Sequence, residues 1–396
     1  MKINILYLSE SSLPKIYTHS IVSEGEARIL RDTNLFNNIF VIAIGKDFVG
    51  KVKGKTESKI IVVRSKRINP FIDFVPFVIL YFLYNFLYFV PTLKLIRKYN
   101  IKIIHTTSLF YSGLVGFLLH LITKLPYVVE VRANFEYLLN IYLKFIPVFL
   151  KRAIVRSIIL LHSKKSSFII ANSNIVKELL INNGAARHKV DVVYPVVFYY
   201  DEEKLLGESV RVNNKDMLVI STLSRIVKEK GLDILLDLAK EIKKHKLNVK
   251  IVIGGTGPYL NNLIKKAKEY NITDIVKFAY YVSDKISFYQ RADIIINPWL
   301  YYDFGGLNTE AMLIGKPIIA FLPHEPIIHG FNGLIIERDV ISLLNAIKLF
   351  FDDKLRYEYG CNGKSLYLKK YSKIKQINKM KNLYSKLIVS LGEKKE

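Results

Sequence analysis

A disulfide framework is excluded at once, because Cys361 is the only cysteine among 396 residues. The same scarcity favours a cytoplasmic setting, where thiols stay reduced. Acid is also scarce: 34 Asp and Glu stand against 59 Lys and Arg, a formal net charge of +25. No acid at all occurs from Tyr137 to Lys177, or from Lys364 to Lys386. Such a surface suits acidic partners: a nucleotide, an anionic membrane face or nucleic acid. No recognised nucleic-acid module is visible, so that class is set aside. There is no Walker lysine, and the glycines near residue 255 lack the later glycine of the dinucleotide fingerprint. No metal-ligand cluster and no resident cofactor are expected. The opening residues, Met1 to Leu8, are too short for a signal-peptide apolar region and alternate like a strand. Long apolar runs are absent except one, Phe71 to Val90. Asp73, Pro76 and Asn85 interrupt it and Pro91 ends it. It reads as a buried or membrane-lying helix rather than a span.

What is present is hydrophobic residue at 51%, rich in Ile, Tyr and Phe, which argues against disorder and for two cores of ordinary size. Strand-like and helix-like segments alternate throughout. In the first half, strands are expected at the N-terminus, Ile39–Ile44, Ile60–Arg64, Ile101–His105, 126–132, Phe168–Ala171 and Val190–Val193. Helices are expected near 22–31, 111–123 and 174–183, the last with Asn172-Ser173-Asn174 as its N-cap. The loop Ser9–Ser23 holds His19, which can bind a donor phosphate, position an acceptor, or be a polar loop histidine. Glu130 and Arg132 end a strand, where open α/β sheets bind ligands. They are site candidates, with a local ion pair as the alternative. Lys144, Lys151, Arg152, Arg156, Lys164 and Lys165 are interleaved with apolar residues. This basic amphipathic stretch fits an anionic lipid surface, or a solvated face over a packed helix.

From Tyr194 to about Asp216 the pattern breaks, and the domain boundary is placed here, at residue 200. A second alternating series follows over 201–370, and 371–396 reads as a basic helical tail. A strand from Met217 leads into Ser224 to Gly231, where Arg225 and Lys230 can converge on one anion. The next strand ends in Gly254-Gly255-Thr256-Gly257-Pro258, read as a close-approach turn. The central stretch is Tyr301 to Met312. It follows the apolar run Asp293 to Pro298 and enters a helix that Gly315-Lys316-Pro317 stops. Gly305 and Gly306 let backbone approach a ligand, and the helix start favours an anion. Glu310, about one turn into the helix, is placed to bind hydroxyls of the same ligand.

These pieces resemble glycosyltransferase family four, of the GT-B fold. They are Leu223-Ser224-Arg225 with Lys230-Gly231, Ile253 to Pro258, Ala292-Asp293 with Asn297-Pro298, Phe304-Gly305 with Glu310-Ala311-Met312, Gly315-Lys316-Pro317, and Asn332-Gly333-Leu334. The match covers about residues 217 to 340. The resemblance implies an α/β protein of two Rossmann-like doubly wound domains facing across a cleft. It implies metal-independent transfer of a sugar, with retention, from a nucleotide-diphosphate donor, UDP- or GDP-linked, to a glycan or lipid-linked acceptor. Arg225 and Lys230 would hold the diphosphate as catalytic cations. Arg132 stands where many relatives place a histidine beside the donor sugar. Gly305, Gly306 and Leu307 would donate backbone N–H groups, Glu310 would bind the ribose, and Thr256, Gly257 and Val282 would lie near ribose and base. The family's first glutamate falls at Tyr302 here, and Asp303 beside it is the candidate replacement. His19 and Glu130 are acceptor candidates. The expected setting is cytoplasmic, with peripheral contact to an anionic membrane. Two alternatives stay open: a non-catalytic GT-B subunit docking on a partner enzyme, and a sugar-nucleotide epimerase.

Overall fold

The computed structural model describes residues 2–8, 27–44, 50–52, 59–65, 89–90, 92–132, 146–196, 201–210, 217–301, 304 and 306–393. The chain forms two units: Met1–Phe198 with Ile374–Glu396, and Tyr199–Lys373.

The first unit holds eight strands: β1 Ile3–Leu8, β2 Phe36–Ile44, β3 Gly50–Val52, β4 Lys59–Ser65, β5 Ile101–Thr106, β6 Tyr127–Val131, β7 Ile169–Ala171 and β8 Val190–Val192. Their order is β3-β4-β2-β1-β5-β6-β7-β8. All neighbours are parallel except the β3–β4 edge pair. Buried strands such as Tyr127–Val131 are continuously apolar apart from Glu130, as expected where both sheet faces are covered. The order reverses between β1 and β5, so their carboxyl ends form a switch point.

The last helix, Lys373–Glu393, differs from the expected separate tail. Ile377, Met380 and Tyr384 are buried in the first unit's core with Ile5, Tyr7, Phe36 and Val128. Their spacing puts them on one helical face, which is the apolar stripe such packing needs. Gln376 Oε1 accepts from the Tyr194 backbone N–H at 3.0 Å, and Lys379 donates to the Val192 carbonyl at 2.9 Å. The basic residues of this helix therefore sit on the outer side of a packed element.

The helix Val148–Lys165 buries Lys151, Val155, Ile159, His162 and Ser163. Arg152, Arg156, Lys164 and Lys165 are exposed. Its first turn also exposes Val148, Phe149 and Leu150, Phe149 to 74%. No helix among the described residues is long and apolar enough to cross a membrane. The apolar run at 71–88 lies outside the described residues.

The second unit holds β9 Leu218–Leu223, β10 Val249–Gly254, β11 Val276–Tyr280, β12 Ile294–Asn297, β13 Ile318–Ala320 and β14 Gly333–Ile335. Their order is β11-β10-β9-β12-β13-β14, parallel throughout. Numbered within the unit, that is the 3-2-1-4-5-6 order of a doubly wound nucleotide fold, with the switch point between β9 and β12. The core is aliphatic, centred on Ile220, Ile251, Ile253, Ile294 and Ile296 with Leu235, Leu238 and Ile242 of the helix Asp233–Lys244. The stretch read as an unpatterned linker contains a short helix, Glu202–Gly207. The Asp201 side chain caps it, accepting from the Lys204 N–H, and Leu205 is buried.

Candidate functional site

In the second unit the loops after β9 and β10 are stitched together by backbone. The Ser224 N–H donates to the Gly254 carbonyl at 3.2 Å, and the Ile226 N–H to the Thr256 carbonyl at 2.9 Å. The Tyr259 N–H returns to the Ile226 carbonyl at 3.2 Å. A Cβ at Gly255, whose φ is +126°, would overlap the Ser224 carbonyl, and one at Gly257 the Ile226 carbonyl. The close approach that these glycines permit is thus to the β9 loop. Arg225 is exposed on this double loop, and Thr256 and Gly257 are half-buried within it.

Lys230 follows differently. The chain turns at Gly231, with φ at +63°. Arg338 clamps that turn, donating to the Gly231 carbonyl at 2.9 Å and to the Pro298 carbonyl at 2.6 Å. The Leu300 N–H reaches the Glu229 carbonyl at 3.3 Å. These bonds draw the loop after β9 against the residues after β12. Lys230, only 6% exposed, lies with its ammonium 3.2 Å from the centre of the Trp299 ring and 4.9 Å from that of Tyr301. A desolvated cation over indole is a strong form of this contact. His324 packs edge-on to Trp299 at 6.1 Å. Burial first, and then the Lys230 charge, lower its pKa to about 4.

The helix Gly306–Ile314 begins beyond β12, and all of it after Gly306 is buried. Asn297 Nδ2 donates to Asn308 Oδ1 at 3.1 Å, and the Thr309 hydroxyl to the Gly306 carbonyl at 3.1 Å. Glu310 is 4% exposed. Its Oε2 accepts from the Tyr289 hydroxyl at 2.8 Å and its Oε1 from Lys285 Nζ at 3.2 Å. A Cβ at Gly306 would lie 3.3 Å from Oε1, so the carboxylate folds back over the start of its own helix. Tyr367 is nearby; burial, then Glu202 and Glu310, push its pKa well up. Tyr280, the last residue of β11, at φ +50°, and Tyr281 after it are exposed, followed by half-buried Val282. Leu307 is buried. Asp303, Gly305 and Tyr302 lie outside the described residues.

The first unit's candidates Glu130 and Arg132 belong to one hydrogen-bonded network. Arg132 donates through Nε to Glu130 Oε1 at 2.7 Å and through Nη2 to Oε2 at 2.9 Å. Nη2 also reaches the Tyr7 hydroxyl at 2.6 Å. His105 Nε2 lies 2.9 Å from Glu130 Oε2 and its Nδ1 2.6 Å from the Tyr384 hydroxyl. With Glu130 ionised, Nε2–H donates to it and Nδ1 accepts from Tyr384. Burial alone would raise the Glu130 pKa, but Arg132 and the His105 bond outweigh it and hold it at about 2. This is the local ion-pair alternative, enlarged by a histidine. His19 lies outside the described residues.

The structure therefore brings Lys230 to the loop after β9 and Glu310 to the helix after β12, the two sides of the switch point. Sequence reasoning missed Lys285, Tyr289, Trp299 and Arg338. Lys285 and Tyr289 did carry a signal: four residues apart, they share one helical face.

Comparison with known proteins adds to this geometry. The family described as glycosyl transferases group 1 matches residues 208–366, and the Glycosyltransferase Family 4 model matches residues 52–197. The alpha-monoglucosyldiacylglycerol synthase of Streptococcus pneumoniae is 26% identical over 247 residues, 59% of this chain and 54% of that protein. The chain spans about half the length of the relatives it matches. Sucrose-phosphate synthase from Thermosynechococcus elongatus superposes with a TM-score of 0.76 at 17% identity, over 98% of this chain and all of that one. HepE of Anabaena, in complex with UDP and glucose, gives 0.69 at 18%, over 97% and 99%. The likeness shows the fold, GT-B, as expected from the motifs.

Proposed function

We propose that the chain, which matches the glycosyl transferases group 1 family over residues 208–366 and the Glycosyltransferase Family 4 model over residues 52–197, moves a sugar from a nucleotide-diphosphate donor to a glycan or lipid-linked acceptor. The observation that carries this reading is the pairing of a buried cation, Lys230, and a buried carboxylate, Glu310, on either side of the β9/β12 switch point. The anomeric carbon–oxygen bond to the diphosphate breaks, and the diphosphate leaves with the electron pair. The acceptor hydroxyl forms the new bond on the same face and gives its proton to an oxygen of the departing diphosphate, so configuration at the anomeric carbon is retained. Lys230 and Arg225 stabilise the charge that grows on the diphosphate, which makes a metal unnecessary. Glu310 accepts from the ribose hydroxyls, and backbone N–H groups at Gly305, Gly306 and Leu307 meet donor sugar and phosphate. Thr256, Gly257 and Val282 border ribose and base, and Asp303 stands in for the family's first glutamate. The donor is UDP- or GDP-linked, as HepE's ligands favour for the first. The first unit supplies Arg132 beside the donor sugar, with His19 and Glu130 as the acceptor candidates.

Two measurements test this. UDP, GDP and ADP are compared by thermal shift, since a ligand that binds only the folded state raises its stability. Transfer is then assayed in Glu310→Ala and Arg225→Ala, each expected to fall about 10²–10³-fold. Near-normal rates in both would refute the assignment. Loss of every nucleotide shift would favour the non-catalytic subunit, for which Tyr302 is the motive.

The same reading puts the acceptor at an anionic membrane face. Val148, Phe149 and Leu150 are exposed in the first turn of a helix that also exposes Arg152 and Arg156 further along. Phe149→Asp should abolish sedimentation with anionic vesicles. Unchanged sedimentation would remove the membrane from the proposal.

A further inference from the structure

Lys285 opens the six-residue helix Lys285–Gln290 that follows β11, and Tyr289 lies one turn further on. Residues four apart on a helix share a face. They meet different oxygens of one carboxylate: Tyr289 donates to Glu310 Oε2 at 2.8 Å, and Lys285 to Oε1 at 3.2 Å. The capping side chain next to Lys285, Asp284, is engaged with Ser287, whose N–H it accepts at 3.1 Å and whose hydroxyl it accepts at 2.5 Å. A cation at a helix start runs against the helix dipole, so local preference does not place a lysine there. The tertiary partner does. The lysine side chain is 38% exposed and the Glu310 side chain 5%, so the ammonium stands at the rim and the carboxylate inside.

An ionised carboxylate offers about four acceptor directions. Among the described residues, Lys285 and Tyr289 use one on each oxygen and leave one on each. Two acceptors at carboxylate spacing match the two neighbouring hydroxyls of a ribose. We propose that Lys285 is a positioning residue for the donor. Together with Tyr289 it fixes Glu310 as a two-acceptor fork that selects the vicinal diol of a nucleoside diphosphate over its 2′-deoxy form. This rests on the reading of Glu310 as the ribose-binding group. It adds to that reading the two side chains that aim the carboxylate, and a selectivity that depends on them. A site built to hydrogen-bond a hydroxyl rejects the analogue that lacks it.

The test is calorimetric titration of the full chain with UDP, GDP and ADP. The tightest binder is then compared with its 2′-deoxy counterpart. Lys285→Met should weaken the ribonucleotide about tenfold, in the range of a hydrogen bond to a charged group. It should leave the 2′-deoxy form within about twofold, so the preference collapses. Lys285→Arg should restore most of the preference, and Tyr289→Phe should lose part of it. At saturating donor, kcat should hold while KM rises. Equal weakening of both nucleotides in Lys285→Met would reduce the lysine to general attraction for phosphate and overturn the inference. So would an unchanged preference. Glu310→Ala separates the two failures. If it loses the preference while Lys285→Met keeps it, only the positioning role falls. If Glu310→Ala binds both nucleotides like the wild type, or if no nucleotide binds at all, the ribose reading falls and the inference with it.

Discussion

Glu130 in the first unit and Glu310 in the second are both buried carboxylates at the carboxyl side of a parallel sheet, and each meets a cation. Their partners differ. Glu130 accepts from Nε and Nη2 of Arg132 and from His105, and Tyr7 and Tyr384 bond in turn to Arg132 and His105. Glu310 is held by one lysine at the rim and one phenol. The first carboxylate sits in a network that joins β5, β6 and the C-terminal helix. The second, in the proposed reading, keeps acceptor directions for the donor ribose. Position at a strand end is thus a poor guide to function until the partners of the charge are known.

The largest effect that would break this contrast is on stability. Removing one member of a buried ion pair costs about 3–5 kcal/mol. Glu130→Ala should therefore lower denaturant stability by that order, while Glu310→Ala acts chiefly on transfer. Equal destabilisation by the two would erase the difference. The Glu130 pKa lies at about 2, below its ordinary 4.5. The sign follows: its contribution, about 3 kcal/mol by linkage, is full above pH about 4.5 and is lost as pH falls toward 2. An acid titration of stability should show that loss in the wild type and not in Glu130→Ala.

A smaller effect concerns Lys230. Its contact with Trp299 is of a kind that contributes about 0.5–2 kcal/mol. Trp299→Leu should reduce kcat/KM by about two- to thirty-fold, and Trp299→Phe by less. No change in Trp299→Leu would show that the indole does not hold the lysine in place.

The smallest expected effect compares one buried histidine from each unit. His162 bonds the Leu109 carbonyl at 2.7 Å and the Tyr127 hydroxyl at 3.2 Å, and burial lowers its pKa to about 4 despite the carbonyl, which works the other way. His324 also lies at about 4, by burial and by Lys230. Both folded values are below the ordinary 6.5, so both sites stabilise the fold above pH about 6.5 and lose that as pH falls toward 4. In Lys230→Met, NMR titration should find His324 shifted up and His162 unmoved. A stationary His324 would mean burial alone sets it.

Much of the fold was legible because apolar period and turn chemistry are local. The helix Tyr111–Thr123 and the strand Val276–Tyr280 stand at the expected bounds. Strand β3, three residues on an antiparallel edge, is too short to show a period. A cap at Asn172-Ser173-Asn174 was readable, and the structure assigns it to Ser173, whose hydroxyl accepts from the Val176 N–H at 3.2 Å. The glycines at 254–257 were readable as a place of close approach, but not what approaches: the neighbour is the β9 loop, 30 residues earlier in the chain.

The sequence alone determined the alternation of strands and helices, the two series, the glycine turns and the residue types beyond β9 and β12. These follow from patterns over a few residues, where side-chain direction and backbone freedom are fixed by near neighbours. Only the tertiary structure decided which charges meet. It paired Glu130 with His105 across two strands and set Lys285 against Glu310, 25 residues on. It seated Lys230 on Trp299, and it packed the C-terminal helix on the first sheet. A buried charge is stabilised by whatever the fold brings within a few ångströms of it, and that distance is not written in the spacing along the chain.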